Sequence, residues 1–222
     1  MIAMECFERL RQTINRLRLR RLCRIFEHHL HHLIHNAERI LKPHVNPGMT
    51  VVDIGCGTGY FTLAMAKLVA PGGKVIAIDL HEEVLAALGR RACETILSDR
   101  IVLHHCWPDR IGMVKDPADF ILVFWVACEV RDKVNFFGQV FDITKPGGRI
   151  LLVEPKLRVT RRRFRKTVEM CQAAGFRLLG EPAVALSHAV RMEKSGSAWN
   201  PRRPVSFESA WGRDSDQQKT GL

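Results

Sequence analysis

Apolar residues follow two rhythms along this chain. Residues 51–54, 74–78, 100–104, 120–127 and 149–154 are short, mostly apolar runs bounded by glycine, proline or charged residues. Such runs read as strands buried on both faces. Between them lie residues 61–70, 82–93 and 133–143, where apolar side chains recur at helical spacing. Thr160 is placed to cap a further helix carrying Phe164, Val168, Cys171 and Ala174 on one stripe, and Gly175 stands where a helix-ending glycine belongs. Residues 176–179 and 185–192 fit two closing strands. Alternating β and α elements predict an α/β fold: a doubly wound, mostly parallel, seven-stranded sheet with helices on both faces.

Ahead of this body, residues 4–41 contain neither proline nor glycine. They predict a helical arm, with a phase change between Leu17 and Leu19 and a stop at Pro43. Residues 195–222 are rich in Ser, Gly, Pro and Arg without an apolar period and predict a disordered tail. The expected division is thus an arm over 1–44, a body over 45–194 and a tail over 195–222.

Charge sharpens this division. The net +11 is made of +5 over residues 1–44, −2 over 45–154, +9 over 155–203 and −1 over 204–222. A near-neutral body with basic flanks suits an anionic partner, RNA or a lipid surface, or serves solubility alone. The longest uncharged apolar run has nine residues, 120–128, far short of the roughly 20 needed to span a bilayer. The N-terminus carries Glu5 and Glu8 and no apolar signal core, and the seven cysteines form no C-x-x-C pair. They read as reduced thiols of a cytoplasmic protein.

The chemistry concentrates in Val51-Val52-Asp53-Ile54-Gly55-Cys56-Gly57-Thr58-Gly59, an apolar strand running into a glycine turn before a helix. Glycines there let a ligand approach the backbone closely. The spacing D-x-G-x-G-x-G differs from the dinucleotide fingerprint G-x-G-x-x-G, and no G-x-x-x-x-G-K-[ST] loop exists. An acid ahead of the first glycine opposes a pyrophosphate and suits a ligand bearing an amino group. Asp79 ends the next strand, where a carboxylate can accept hydrogen bonds from ribose hydroxyls. A nicotinamide oxidoreductase remains a competitor at the level of the fold, disfavoured by the turn spacing.

VVDIGCGTG, the acid of VIAIDL, the strand ADFILVFWV and the segment KPGGRILLVEP together resemble the class I S-adenosylmethionine-dependent methyltransferases. EPK, AAGF and ALSHAVRMEK point to the subgroup similar to ubiquinone/menaquinone-biosynthesis or arsenite methyltransferases. The resemblance covers residues 45–194 and implies a Rossmann-like fold with S-adenosyl-L-methionine as cofactor. It implies that Asp53, Gly55, Cys56, Gly57 and Gly59 hold the methionine end, and that Asp79 binds the ribose with Leu80 beside the adenine. Cys106 and Trp107 would flank the adenine after His105. Phe124 and Trp125, with Val126, would line the cofactor and the entry to the acceptor site. Family members often carry an acid near the position of Trp107, whereas here the nearest is Asp109. Cys128 stands where a histidine often precedes Glu129.

No catalytic residue is assigned. Glu129, Glu154, His104 and His105 are candidate bases, each with a plain structural alternative. The [DNS]-P-P-[YF] sequence of amino-methylating enzymes and the Pro-Cys nucleophile of cytosine-C5 enzymes are absent. Cys56, Cys106, Cys128 and Cys171 are dispersed, which argues against arsenite as acceptor. The expected reaction is methyl transfer to a small molecule. Action on RNA or protein, and a non-catalytic cofactor-binding module, stay open. His28/His32 and His31/His35 have the i, i+4 spacing of a metal pair, but only Glu27 lies near, so no metal is expected. Arg161-Arg162-Arg163, Arg165 and Lys166 fall in the first turns of a helix, where cations oppose its dipole and suggest an anion bound nearby or contact with the acids of another segment.

Overall fold

The computed structural model describes residues 35–195 apart from Met113. The arm before His35 and the segment after Ser195 lie outside the described residues, as do His28, His29, His31 and His32. The described chain opens with α1 (Ala37–Leu41) and then runs β1 (Thr50–Ile54), α2 (Tyr60–Leu68), β2 (Lys74–Asp79), α3 (Glu82–Cys93), β3 (Ile101–His105) and β4 (Ala118–Phe124). It continues through α4 (Lys133–Asp142), β5 (Thr144–Pro155), α5 (Arg161–Ala173), β6 (Phe176–Gly180) and β7 (Ser187–Lys194).

The strands form one seven-stranded sheet in the order β3-β2-β1-β4-β5-β7-β6. All neighbours run parallel except β7, which is antiparallel to both β5 and β6. Side-chain alternation along the strands feeds two cores. Val51, Phe120, Leu122 and Leu151 face one side, against Leu41, Phe61 and Met65 of α1 and α2. Val52, Ile121, Ile150 and Leu152 face the other, against Phe137 and Val140 of α4 and Phe164 and Val168 of α5. Ala77, Leu85 and Leu88 seat α3 over β2.

The predicted fold class is therefore the observed one, with three local differences. The strand expected over 120–127 stops at Phe124, because Trp125 adopts φ 59 and turns the chain out of the sheet. The predicted turn at Pro146-Gly147-Gly148 is a bulge inside β5: pairing to β4 moves from Ala118–Thr144 to Phe120–Arg149 across it. A Cβ on Gly148 would stand 2.8 Å from the Ala118 carbonyl, so glycine is what lets the bulge close against β4. The last strand begins at Ser187 rather than 185.

The chain passes from β1 to β2 and β3 on one side, then crosses to β4 on the other. This creates a switch point between β1 and β4, and a crevice at their C-terminal ends is the expected ligand position. Phe137 is fully buried beneath this region. Phe137→Ala is expected to cost about 3–5 kcal/mol, measured as the loss in unfolding free energy by denaturant titration.

Candidate active site

The glycine turn follows from the end of β1. Gly55, Gly57 and Gly59 all have positive φ, at 73°, 53° and 89°. The Gly55 and Cys56 N–H groups both donate to the Ile78 carbonyl, fastening the turn to β2. A Cβ on Gly55 would lie 2.2 Å from Val126 Cγ2, so the turn and the loop after β4 touch across the switch point.

Asp79 braces this turn from the neighbouring strand tip. Its Oδ2 accepts the Gly57 N–H at 3.0 Å, and its Oδ1 accepts the His81 N–H at 3.0 Å. Asp53 lies deeper, 2% exposed, and accepts the Thr62 hydroxyl at 2.6 Å. Burial raises the Asp53 carboxyl to about 7, and repulsion from Asp79 adds to the rise, while the Thr62 bond opposes it. Among the described residues neither carboxylate pairs with a lysine or arginine.

A cleft of about 460 Å³ opens beside this pair. Ile54, Gly55 and Asp79 form its floor, Leu80 and Cys106 to Ile111 one wall, and Val126 with residues 129–132 the other. Trp107 is 54% exposed at the rim, and burial together with the charge of Asp79 raises the Cys106 thiol to about 11. Asn135 and Gln139 of α4 each donate a side-chain amide N–H to the Asp109 carbonyl, at 2.8 and 2.9 Å. Gln139 also accepts the Ile111 N–H at 2.8 Å. These three bonds hold the wall after β3 onto α4.

The opposite wall has its own support. Glu154, 1% exposed at the end of β5, accepts the Cys128 N–H at 3.1 Å. Lys133 donates to the carbonyls of Ala127 and Val130. Burial raises Glu154 to about 7, against the pull of Lys133, and burial raises the Cys128 thiol to about 12. Glu129 faces the cleft and pairs with Arg158 at 3.1 Å.

Of the residues singled out from sequence, Gly55, Asp79, Leu80, Cys106 and Trp107 line this cleft. Gly57 joins through its bond to Asp79. Asp53 and Gly59 sit behind the turn, and Cys56 is buried against α3. Phe124 and Trp125 do not line the cleft. Strand alternation puts Phe124 on the face of Phe120 and Leu122, and the left-handed turn at Trp125 brings its ring alongside, so that both rings meet His35 edge-on at 5.1 and 5.4 Å. The Trp125 indole N–H donates to Ser187 Oγ at 3.0 Å. The His104 ring nitrogen bonds the Ile111 carbonyl and that of His105 the Leu80 carbonyl, so both are committed to loop structure. Sequence reasoning named Glu129 but missed Asn135, Gln139 and the rest of the 129–132 wall. Asp132 did carry a signal, as the cap that accepts the Asn135 N–H, but two amides on an amphipathic helix look merely solvated.

Two carboxylates without a lysine or arginine partner among the described residues, beside a backbone turn, fit a ligand with an ammonium group and a ribose. Such a turn, strand tip and switch-point cleft define a nucleoside-binding α/β domain of the methyltransferase type. Residues 45–200 match the family described as a methyltransferase domain, and the chain belongs to it. It is similar to the demethylmenaquinone methyltransferase of Symbiobacterium thermophilum, 31% identical over 119 residues, covering 54% of this chain and 47% of that protein. The Bacillus cereus demethylmenaquinone methyltransferase is 26% identical over 110 residues, 50% of this chain and 46% of that one. The chain thus spans about half the length of the curated relatives it matches. Its fold is that of a SAM-dependent methyltransferase from Aquifex aeolicus, with TM-score 0.65 and 21% identity over 72% of this chain and 89% of that one.

The two raised acids set a pH dependence. Asp53 and Glu154 bind their protons near pH 7 when folded, against ordinary values of 3.8 and 4.5. The folded state therefore holds more protons within that window, and stability falls as pH rises through it. The denaturation midpoint of the ligand-free protein is expected to drop between about pH 5 and 7.5. Asp53→Asn removes part of that slope.

A second test concerns the turn. Gly55→Ala forces a Cβ into Val126 at a φ of 73°. It is expected to weaken nucleoside binding at least about ten-fold, the equivalent of 1.4 kcal/mol, read by calorimetric titration.

Proposed function

We propose that this chain is an S-adenosylmethionine-dependent methyltransferase acting on a small-molecule acceptor. The observation that carries the reading is the pair of acids, Asp53 and Asp79, set under and beside the glycine turn without a lysine or arginine partner among the described residues. When bound, the cofactor supplies a methyl already activated on a sulfonium. Asp79 then orients the ribose end while its second role, holding Gly57, keeps the turn in shape. Asp53, buried and anionic above about pH 7, supplies a negative field beneath the ammonium end.

This chemistry asks mainly for alignment and exclusion of water. The walls provide both: Trp107 and Leu80 cover one side, Val126 and Val130 the other. No residue is needed to store a proton unless the acceptor arrives protonated. Cys128 holds its thiol proton and Glu129 is paired with Arg158, so neither is assigned as a base. The domain doing this work spans 45–194, with 1–44 and 195–222 as extensions, and acts in the cytoplasm. No helix among the described residues is long and apolar enough to cross a membrane. The names of the curated relatives make a demethylated quinol the first acceptor to try.

Calorimetry with S-adenosylmethionine and S-adenosylhomocysteine tests the cofactor, and product release with demethylmenaquinol and a panel of small phenols tests turnover. Asp79→Ala removes both the ribose acceptor and the Gly57 brace and is expected to weaken cofactor binding by about a hundred-fold, or 2.7 kcal/mol. Cofactor binding without turnover across the panel would instead support a non-catalytic module. NADH binding in its place would sink the assignment.

A further inference from the structure

The face of the sheet that packs against α1 and α2 carries a second cavity, of about 450 Å³. Residues of α1 with Pro43 and His44 form one wall, residues 182–185 the other, and Leu151 and Arg191 the floor. It shares no residue with the cleft beside Asp79.

Register decides which way Arg191 points. It stands opposite Leu151 in the antiparallel β5–β7 pair, and opposed residues share a face. Leu151 belongs to the core under α1 and α2, so the Arg191 side chain leaves the sheet into that apolar layer. Its Nε is buried without a hydrogen-bond partner among the described residues. His44, 7% exposed, stacks on Phe120 with ring centroids 5.5 Å apart, and its Nδ1 is likewise buried and unpartnered. Burial, helped by the charges of Arg191 and Arg149, brings His44 down to about 4, so the imidazole is neutral with one N–H to donate.

Among the described residues no acid answers this charge. None lines the cavity. Glu193, two positions along β7, is taken by Arg149 at 3.3 Å and Arg177 at 2.9 Å, and Glu38 of α1 faces Lys67 at 3.9 Å. Arg39, exposed on the α1 wall, also makes no ion pair there. A guanidinium set in an apolar layer without a counter-charge is destabilising, and buried polar atoms are nearly always paired. Here two such groups border one chamber whose remaining lining, Ile40, Pro43, Leu151 and Val184, is mostly apolar.

We propose that this cavity binds a small oxyanion, a carboxylate or a phosphate monoester, carried on an apolar body. The planar fork of Arg191 matches either head group. His44 supplies an N–H, Arg39 adds charge at the wall, and the apolar body lies along Ile40, Pro43 and Val184. A cation would meet two guanidiniums and no carboxylate, and a neutral apolar ligand would leave Arg191 without a counter-charge. The proposal stands apart from the assigned reaction, because binding is read without cofactor or turnover.

The test is calorimetric titration of the full chain with octanoate and with monooctyl phosphate. At least one is expected to bind at one per chain, the tighter of the two identifying the head group, with octanol and octylamine at least about ten-fold weaker. Arg191→Gln should weaken binding at least about ten-fold, and His44→Phe, which keeps the stack on Phe120, about five-fold. Ala183→Trp, an exposed change that fills the chamber, should abolish binding with the melting temperature unchanged. Failure of both amphiphiles to bind the parent chain overturns the proposal, as does octanol binding as tightly as they do. So does equal binding by the parent, Arg191→Gln and Ala183→Trp, which would put the anion elsewhere on the molecule.

Discussion

The architecture of the cleft depends on one hydrogen bond, from the Gly57 N–H to the Asp79 carboxylate. It joins the tips of β1 and β2, and so fixes a turn whose three glycines all lie in the left-handed region. Without it the turn would be tethered by the two N–H groups that reach the Ile78 carbonyl and by Arg91 on the Thr58 carbonyl. The same carboxylate raises the cost of charge on Asp53 and on the thiol of Cys106. Bracing the backbone and charging the pocket are thus one act by one side chain. A neutral residue of the same shape would separate them.

Much of the fold was legible because its signals are local and redundant. The apolar runs of β1, β2 and β4 are buried on both faces, so burial and sequence say the same thing. Thr160 caps α5 as its position implies, accepting the Arg163 N–H at 3.3 Å. The end of β4 was not legible. Trp125 follows an unbroken apolar run, and nothing in that run announces a positive φ. Its cause is tertiary: an indole anchored on Ser187, 62 positions away, and a ring packed on His35. The bulge in β5 was hidden for the opposite reason, since Pro-Gly-Gly is a strong turn signal that the pairing on both sides overrode.

The site divides in the same way. Gly55 and Asp79 could be read from spacing, because backbone approach and strand-tip position are properties of sequence order. The walls could not. Asn135 and Gln139 matter only because α4 packs where the loop after β3 ends, and Glu154 matters only because β5 lies beside β4. Each is a polar group whose partner is a backbone atom at long range, and no local pattern encodes such a choice.

The position of β5 links the cleft to the basic face beyond it. It pairs with β4 on one side and with the antiparallel β7 on the other, so its C-terminal end meets both the cleft loop and the 181–188 loop. Glu154 acts inward on Cys128, and two residues later the chain emerges as Lys156 and Leu157. Arg158 then turns back to Glu129 on the cleft wall. The exposed loop is therefore joined to the wall twice, by the Glu154–Cys128 bond at its root and by the Arg158–Glu129 pair beyond it. Both contacts act at the end of β5, so the placement of that strand sets the wall and the loop together.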